Sequence, residues 1–219
     1  MNESGPRADP GGAPLRALAL VCTLTPSPAR SSSQLLAERT MAALAGHGVT
    51  GRILRVVDHD VRPGVETDMG DGDAWPAIRQ EMLDADILVL ATPIWLGHPS
   101  SVAQRVLERL DAELSETDDE GRLLTYGKVA VVCVVGNEDG AHKVSADLFQ
   151  GLDDVGFTLP ANAVTYWVGE AMQGTDYQDL DEPPEATENT TRTLARNAAH
   201  LARLLKDAPY PPERRPGTH

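Results

Sequence analysis

The chain has 219 residues, of which 41% are hydrophobic and 24% are charged, and its formal net charge is −14. This length and composition are typical of one globular domain with a sizeable core. A chain this acidic, with no basic stripe, is a poor candidate for binding nucleic acid or an anionic membrane. It also has no apolar run near the ~20 residues that span a bilayer.

Both ends of the chain are polar and rich in proline and glycine. Residues 1–14 lack the apolar segment of a signal peptide, so we interpret them as a disordered arm, and residues 208–219 as a C-terminal tail. The folded domain is expected over residues 15–207. The two cysteines, Cys22 and Cys133, lie in apolar runs, which is typical of buried thiols in a reducing compartment, so we expect a cytoplasmic protein.

Apolar runs with the composition of buried strands alternate with helical patterns along this domain. Strands are predicted over residues 17–22, 51–57, 86–91, 128–135 and 163–167. Helices are predicted from 31–33 to Gly46, along the apolar stripes at 75–85, 102–110 and 144–155, and over 190–206. Five such units predict an α/β fold with a doubly wound, five-stranded parallel sheet of order 2-1-3-4-5 and helices on both faces.

Three loops of unusual composition follow the first, third and fourth predicted strands, at residues 23–33, 92–99 and 136–142. In an open parallel sheet, ligands bind beyond the carboxyl ends of the strands, where the strand order reverses. In the predicted order, all three loops surround that point. We therefore expect the binding site between them.

The 23–33 loop is rich in hydroxyl side chains and ends at a predicted helix start. A helix N-terminus offers unpaired backbone N–H groups and the positive end of the helix dipole, both of which attract anions. The loop has neither a glycine-rich phosphate-binding pattern nor a lysine, so amides and hydroxyls would hold a phosphate there. The alternative is that the serines at 31–33 only cap the helix.

The other two loops have features suited to a planar ligand. Pro93 fixes the backbone direction after a buried strand, and Trp95 could lie against a ring, although it could equally be a core or subunit-contact aromatic. Glycines in 136–140 allow close approach to a ligand, or form a simple turn that Asp139 caps. We interpret His98 and His142 as exposed loop residues, and we predict no metal site.

Three segments of the chain resemble the NAD(P)H-dependent FMN reductase family of flavodoxin-like proteins. They are the 23–33 loop followed by Gln-Leu-Leu-Ala, the run Ala-Thr-Pro-Ile-Trp-Leu-Gly at 91–97, and Gly-Asn-Glu-Asp-Gly-Ala-His at 136–142 with Val-Thr-Tyr-Trp-Val-Gly at 164–169. The resemblance covers about residues 15–207. It departs from the family pattern in lacking the Gly-Ser-x-Arg loop start and in having Trp95 in place of the more usual tyrosine.

The resemblance implies noncovalent binding of FMN. The positions that match the family's cofactor-binding segments are Thr23, Thr25, Arg30, Ser31, Ser32, Ser33, Thr92, Pro93, Ile94, Trp95, Leu96, Gly97, Gly136, Asn137, Glu138, Asp139 and Gly140. The three serines and the two threonines match the phosphate end, 93–97 the flavin ring, and 136–140 its other edge. No residue is assigned a catalytic role, because the cofactor supplies the chemistry in such enzymes.

The activity that the resemblance implies is hydride transfer from NAD(P)H to FMN and onward to a quinone, a free flavin or another small-molecule acceptor. It also implies a homodimer or homotetramer. Two alternatives stay open: a flavodoxin-type electron carrier, and an enzyme that binds a flavin phosphate as its substrate and modifies it.

Overall fold

The computed structural model describes residues 14–171 and 173–212. The strands are β1 (Leu15–Val21), β2 (Val49–Arg55), β3 (Ile87–Trp95), β4 (His98–Pro99), β5 (Val129–Gly136) and β6 (Val164–Val168). The helices are α1 (Ser32–Ala45), α2 (Trp75–Leu83), α3 (Ser101–Leu110), α4 (Ala141–Asp154) and α5 (Glu185–Asp207). Two parts of the predicted ends lie outside the described residues. They are residues 1–13 of the predicted disordered arm and residues 213–219 of the predicted tail.

The five long strands form one parallel sheet of order β2-β1-β3-β5-β6. With the two-residue β4 set aside, this is the predicted doubly wound order, and the predicted fold is confirmed. β3 differs from the prediction, because it runs four residues beyond its predicted end at residue 91. Thr92 and Pro93 continue the pairing, opposite Val134 and Val135 of β5, and a tight turn then leads into the antiparallel β4.

Helices cover both faces of the sheet and bury two separate cores. α1 and α5 pack on one face, where Leu36 and Leu194 are fully buried. α2, α3 and α4 pack on the other face, around Trp75, Val106 and Leu148. Because both faces are covered, the central strands are apolar along nearly their whole length rather than alternating.

The two cysteines are free and buried, and they belong to the cores on opposite faces of the sheet. Burial raises the pKa of the Cys133 thiol to about 12 and raises that of Cys22 as well, so both thiols stay protonated at neutral pH. None of the helices in the described part of the chain has the length and apolarity that crossing a bilayer requires.

The connection between β2 and α2, residues 56–74, is held in place by a buried ion pair. Nη1 of Arg109 lies 2.7 Å from Oδ2 of Asp73, and both side chains are fully buried. The guanidinium also donates to the carbonyl of Glu66. Burial alone would raise the pKa of Asp73, but hydrogen bonds from the Met69 N–H, from Arg109 and from other backbone N–H groups lower it to about 2.

We expect Asp73→Asn to lower the free energy of unfolding by about 3 kcal/mol, because it leaves the buried guanidinium without its counter-charge. Urea denaturation at pH 7 measures the loss. The difference from the unaltered protein should shrink as the pH falls from about 4 to below 2, because Asp73 becomes protonated first in the unfolded state and then in the folded state as well.

The matched control is Asp60→Asn in the same connection. Asp60 is exposed and lies 3.9 Å from Arg62, so its removal should cost less than about 1 kcal/mol. Equal losses from the two variants would contradict the role given to the buried pair.

Candidate functional site

The three predicted loops meet at the carboxyl edge of the sheet around a cavity of about 430 Å³, a size suited to a small-molecule ligand. The predicted site residues that line this cavity are Thr23, Thr25, Arg30, Ser31, Ser32 and Ser33 of the first loop, Pro93, Ile94, Trp95 and Leu96 of the second, and Gly136, Asn137 and Glu138 of the third. One cavity therefore brings together residues that lie more than a hundred positions apart in the chain.

Four predicted site residues do not line the cavity. The Thr92 side chain is buried below it, where Oγ1 accepts a hydrogen bond from the Ser100 N–H at 3.0 Å. Asp139 turns back on its own loop, with Oδ1 accepting from the Gly140 N–H at 2.7 Å. A Cβ at Gly140 would lie only 2.9 Å from Cα of Gly97, so these two glycines let the second and third loops touch. These four residues support the walls of the cavity.

The first loop ends in a helix start that can receive an anion. Ser31 is the N-cap of α1, and its side chain accepts from the Gln34 N–H at 3.3 Å. No acceptor for the N–H groups of Ser32 and Ser33 lies among the residues that the structure describes. Together with the neighbouring hydroxyls, these free donors make this end of the cavity suited to a phosphate.

Arg55 at the end of β2 and Asp58 in the connection that follows hold the first loop in shape. The Arg55 guanidinium donates to the carbonyls of Thr25 and Ala29 at 3.2 and 2.9 Å. The carboxylate of Asp58 accepts from the N–H of Ser27 at 2.8 Å and from its hydroxyl at 2.5 Å, and these bonds lower the pKa of Asp58. The Ser27 hydroxyl therefore faces Asp58 and does not line the cavity.

A fourth wall was not predicted from the sequence. It comes from the end of β6 and the connection that follows, through Trp167, Gln173, Asp176, Tyr177 and Gln178. Leu24 and Val135 also line the cavity without having been predicted. Trp167 could have been predicted from its place at the carboxyl end of a predicted strand. The other four lie in an acidic, glycine-containing stretch with no periodicity.

This fourth wall is tied to the first loop by polar contacts. The Arg30 guanidinium lies 3.0 Å from Oδ1 of Asp179 and also donates to the carbonyl of Gln178. The Gln178 N–H donates to Oγ of Ser32 at 3.2 Å. Asn137 of the third loop reaches the same connection from the other side, donating to the carbonyl of Gln173 at 3.1 Å. The cavity is thus closed by one segment that touches two loops.

The second and third loops are joined by a hydrogen bond across the cavity wall. The peptide N–H of Leu96 donates to Oε1 of Glu138 at 2.7 Å. Leu96 has a φ of 53°, which is uncommon for a residue with a branched side chain, and the bond to Glu138 helps to hold the turn. Trp95 and Leu96 are 56% and 88% exposed at the mouth, which excludes the core alternative for Trp95.

The histidines of the loops have protein partners. Nδ1 of His98 accepts from Nζ of Lys143 at 3.1 Å, and Nε2 of His142 lies 3.2 Å from the hydroxyl of Tyr166. Within residues 14–171 and 173–212, no three histidine, cysteine or acidic side chains come together as metal ligands do. The polar and aromatic groups that line the cavity are hydroxyls, amides, aromatic rings, the Arg30 guanidinium and the carboxylates of Glu138 and Asp176.

Comparisons with known proteins identify a family model and curated relatives that match this chain. A model of the family described as NADPH-dependent FMN reductase matches residues 15–173. The 8-demethyl-8-aminoriboflavin-5'-phosphate synthase of Streptomyces davaonensis is 35% identical over 206 residues, covering 90% of this chain and 80% of that protein. A Mycobacterium bovis protein named divalent metal cation transporter MntH is 40% identical over 88% of this chain, but the chain spans only 29% of its length.

Among solved structures, that of RosB with the bound intermediate 8-demethyl-8-formylriboflavin-5'-phosphate superposes with a TM-score of 0.81 at 35% identity, covering 90% of this chain and 82% of that one. A flavodoxin from the domain Archaea superposes with a TM-score of 0.56 at 9% identity, over 86% of this chain and 99% of that one, which shows the fold alone.

We expect Asp58→Asn to loosen the first loop, because the amide keeps the shape of the carboxylate but cannot accept from both the Ser27 N–H and its hydroxyl as well as a charged group does. Hydrogen–deuterium exchange measured by mass spectrometry should show faster exchange across residues 24–30 and an unchanged rate in β3 and β5. Asp60→Asn, two residues further on, is the control. An exchange pattern equal to that of the control would contradict this role for Asp58.

Proposed function

The chain belongs to the NADPH-dependent FMN reductase family, and we propose that it is an enzyme that binds riboflavin 5'-phosphate in this cavity and modifies the flavin ring. The observation that carries the proposal is the similarity, over most of both chains, to a protein solved with a formylated riboflavin 5'-phosphate bound. The curated synthase that is 35% identical to this chain is likewise named for a modified flavin phosphate.

The residues at the first loop fit the phosphate of such a ligand. The free N–H groups at the start of α1, the hydroxyls of Ser31 and Ser33, and the guanidinium of Arg30 are donors on one side of the cavity. A flavin phosphate would therefore be held by this end, leaving the ring to the second and third loops.

The rest of the cavity fits a flat, partly apolar ring. Trp167 and Tyr177 lie with ring centroids 5.7 Å apart, and Pro93, Ile94 and Leu96 add apolar surface. Gln178 has a buried side-chain carbonyl without a partner among the described residues, and it lines the same cavity. These groups would bind the ring, orient it and exclude water from it, while the flavin supplies the redox chemistry.

The second candidate is NAD(P)H-dependent reduction of FMN with a quinone or another small molecule as the acceptor, and the description of the matching family favours it. Nicotinamide as co-substrate and assembly into a homodimer or homotetramer belong to this candidate as proposals. The exposed Trp95 and Leu96 at the mouth support a contact with a second copy.

The first experiment separates these candidates. Purified protein is loaded with FMN and incubated in air, and the released flavins are analysed by liquid chromatography and mass spectrometry. We expect a new flavin that keeps its phosphate but has a changed ring mass. In parallel, stopped-flow mixing with NADH or NADPH without oxygen follows the flavin absorbance. Rapid bleaching together with recovery of unchanged FMN would support the reductase instead.

The second experiment tests the phosphate end. Ser32→Asp places a carboxylate at the first position of α1, where it would repel a phosphate, and we expect the Kd for FMN, measured by flavin fluorescence, to rise at least tenfold. Its control is Ser101→Asp, an exposed serine at the equivalent position of α3 and away from the cavity. Riboflavin, which lacks the phosphate, should bind both variants alike. An unchanged Kd for FMN in Ser32→Asp would overturn this assignment.

A further inference from the structure

Charged side chains line the cavity unevenly. Among the described residues that line the cavity, the cation is Arg30. It lies at the hydroxyl-rich end, where its Nη1 is 3.0 Å from Oδ1 of Asp179. The other charged lining residues are Glu138 of the third loop and Asp176 of the fourth wall. Oδ1 of Asp176 lies 3.4 Å from Nδ2 of Asn137, which places this carboxylate beside the third loop as well. The part of the cavity beside the third loop therefore carries two carboxylates.

The backbone N–H that could offset this negative charge already donates a hydrogen bond within the protein. A flavoprotein that stabilises reduced flavin does so with N–H groups or cations directed at the ring. The N–H of Leu96, on the loop expected along the ring, donates instead to the Glu138 carboxylate at 2.7 Å. Glu138 thus both adds a negative charge to this part of the cavity and uses a donor that could have balanced it.

We propose that Glu138 makes this cavity favour oxidised flavin phosphate over its reduced anion, so that the flavin is held as an oxidised substrate. This rests on the proposed function, since it assumes that a flavin phosphate occupies the cavity with its phosphate at the serines. It adds to that function a residue that determines which redox form of the flavin is bound.

The charge balance of flavin reduction explains the preference. Reduction adds two electrons and one proton, so the neutral oxidised ring becomes an anion with one negative charge. The phosphate carries the same charge in both forms, and its contacts with the first loop therefore cancel from the comparison. Only the ring changes charge, and a carboxylate beside it repels the anion far more than it affects the neutral ring.

The preference can be measured as a shift in reduction potential. If the reduced form binds tenfold more weakly than the oxidised form, the midpoint potential of the bound flavin falls by about 30 mV for this two-electron couple. We expect at least this fall relative to free FMN at the same pH and salt concentration. The measurement is an anaerobic titration of the FMN-loaded protein against a reference dye, and it does not depend on catalytic activity.

Two variants at neighbouring positions test whether Glu138 causes the fall in potential. Glu138→Gln removes the charge but keeps an oxygen that can accept from the Leu96 N–H, so the turn should stay in place. Asp139→Asn removes the same charge from the next residue, whose carboxylate accepts from the Gly140 N–H and does not line the cavity. We expect Glu138→Gln to recover at least half of the fall in potential and Asp139→Asn to recover less than a quarter.

Three results would overturn the proposal. They are a midpoint potential of bound FMN equal to or above that of free FMN, an unaltered potential in Glu138→Gln, and equal recovery in the two variants. The direct titration of oxidised FMN by fluorescence separates these results from failure of the proposed function. If FMN does not bind the unaltered protein at all, both proposals fall. If it binds and the potential does not drop, only the role of Glu138 falls.

Discussion

Parallel pairing of the strands fixes where the binding residues can lie. β1, β3 and β5 are in register at their carboxyl ends, with Val21 opposite Ala91 and Ala91 opposite Cys133. The loops that follow these strands therefore begin at one level and face one another. The Ser100 hydroxyl strengthens this arrangement by donating to the Cys22 carbonyl at 2.5 Å, which joins the start of α3 to the end of β1. Residues far apart in sequence are thereby brought to one cavity.

Three of the four walls of the cavity are held by side chains from another segment. Asp58 holds the first loop through Ser27, Glu138 holds the second through Leu96, and Arg30 holds the fourth wall through Asp179. Contacts of this kind limit the conformations of a loop before the ligand arrives, so less ordering has to accompany binding. They also mean that residues outside the cavity, such as Asp58, determine the shape of a site that they do not line.

The strand order and three walls of the cavity could be predicted because they follow from local periodicity and one topological rule. The fourth wall could not be predicted. Tyr177 and Gln178 lie in a connection without periodicity, and its position depends on contacts such as that of Arg30 with Asp179, which are 149 residues apart. The sequence also could not distinguish Glu138 from Asp139. Only the folded loop shows that Glu138 lines the cavity while the Asp139 carboxylate accepts from the Gly140 N–H.

The distribution of charge bears on whether flavin serves as cofactor or substrate. A chain with a net charge of −14 repels a flavin phosphate as a whole, but at physiological ionic strength charges act over only about 8 Å, so the groups beside the ligand decide its binding. The 23–33 loop contains no acidic residue, whereas the part of the cavity beside the third loop carries Glu138 and Asp176. Under the proposed function, donors at the phosphate end and carboxylates beside the third loop would suit a flavin phosphate that enters in the oxidised form. Because this fold is shared by proteins with different uses of flavin, these few side chains must distinguish one use from another.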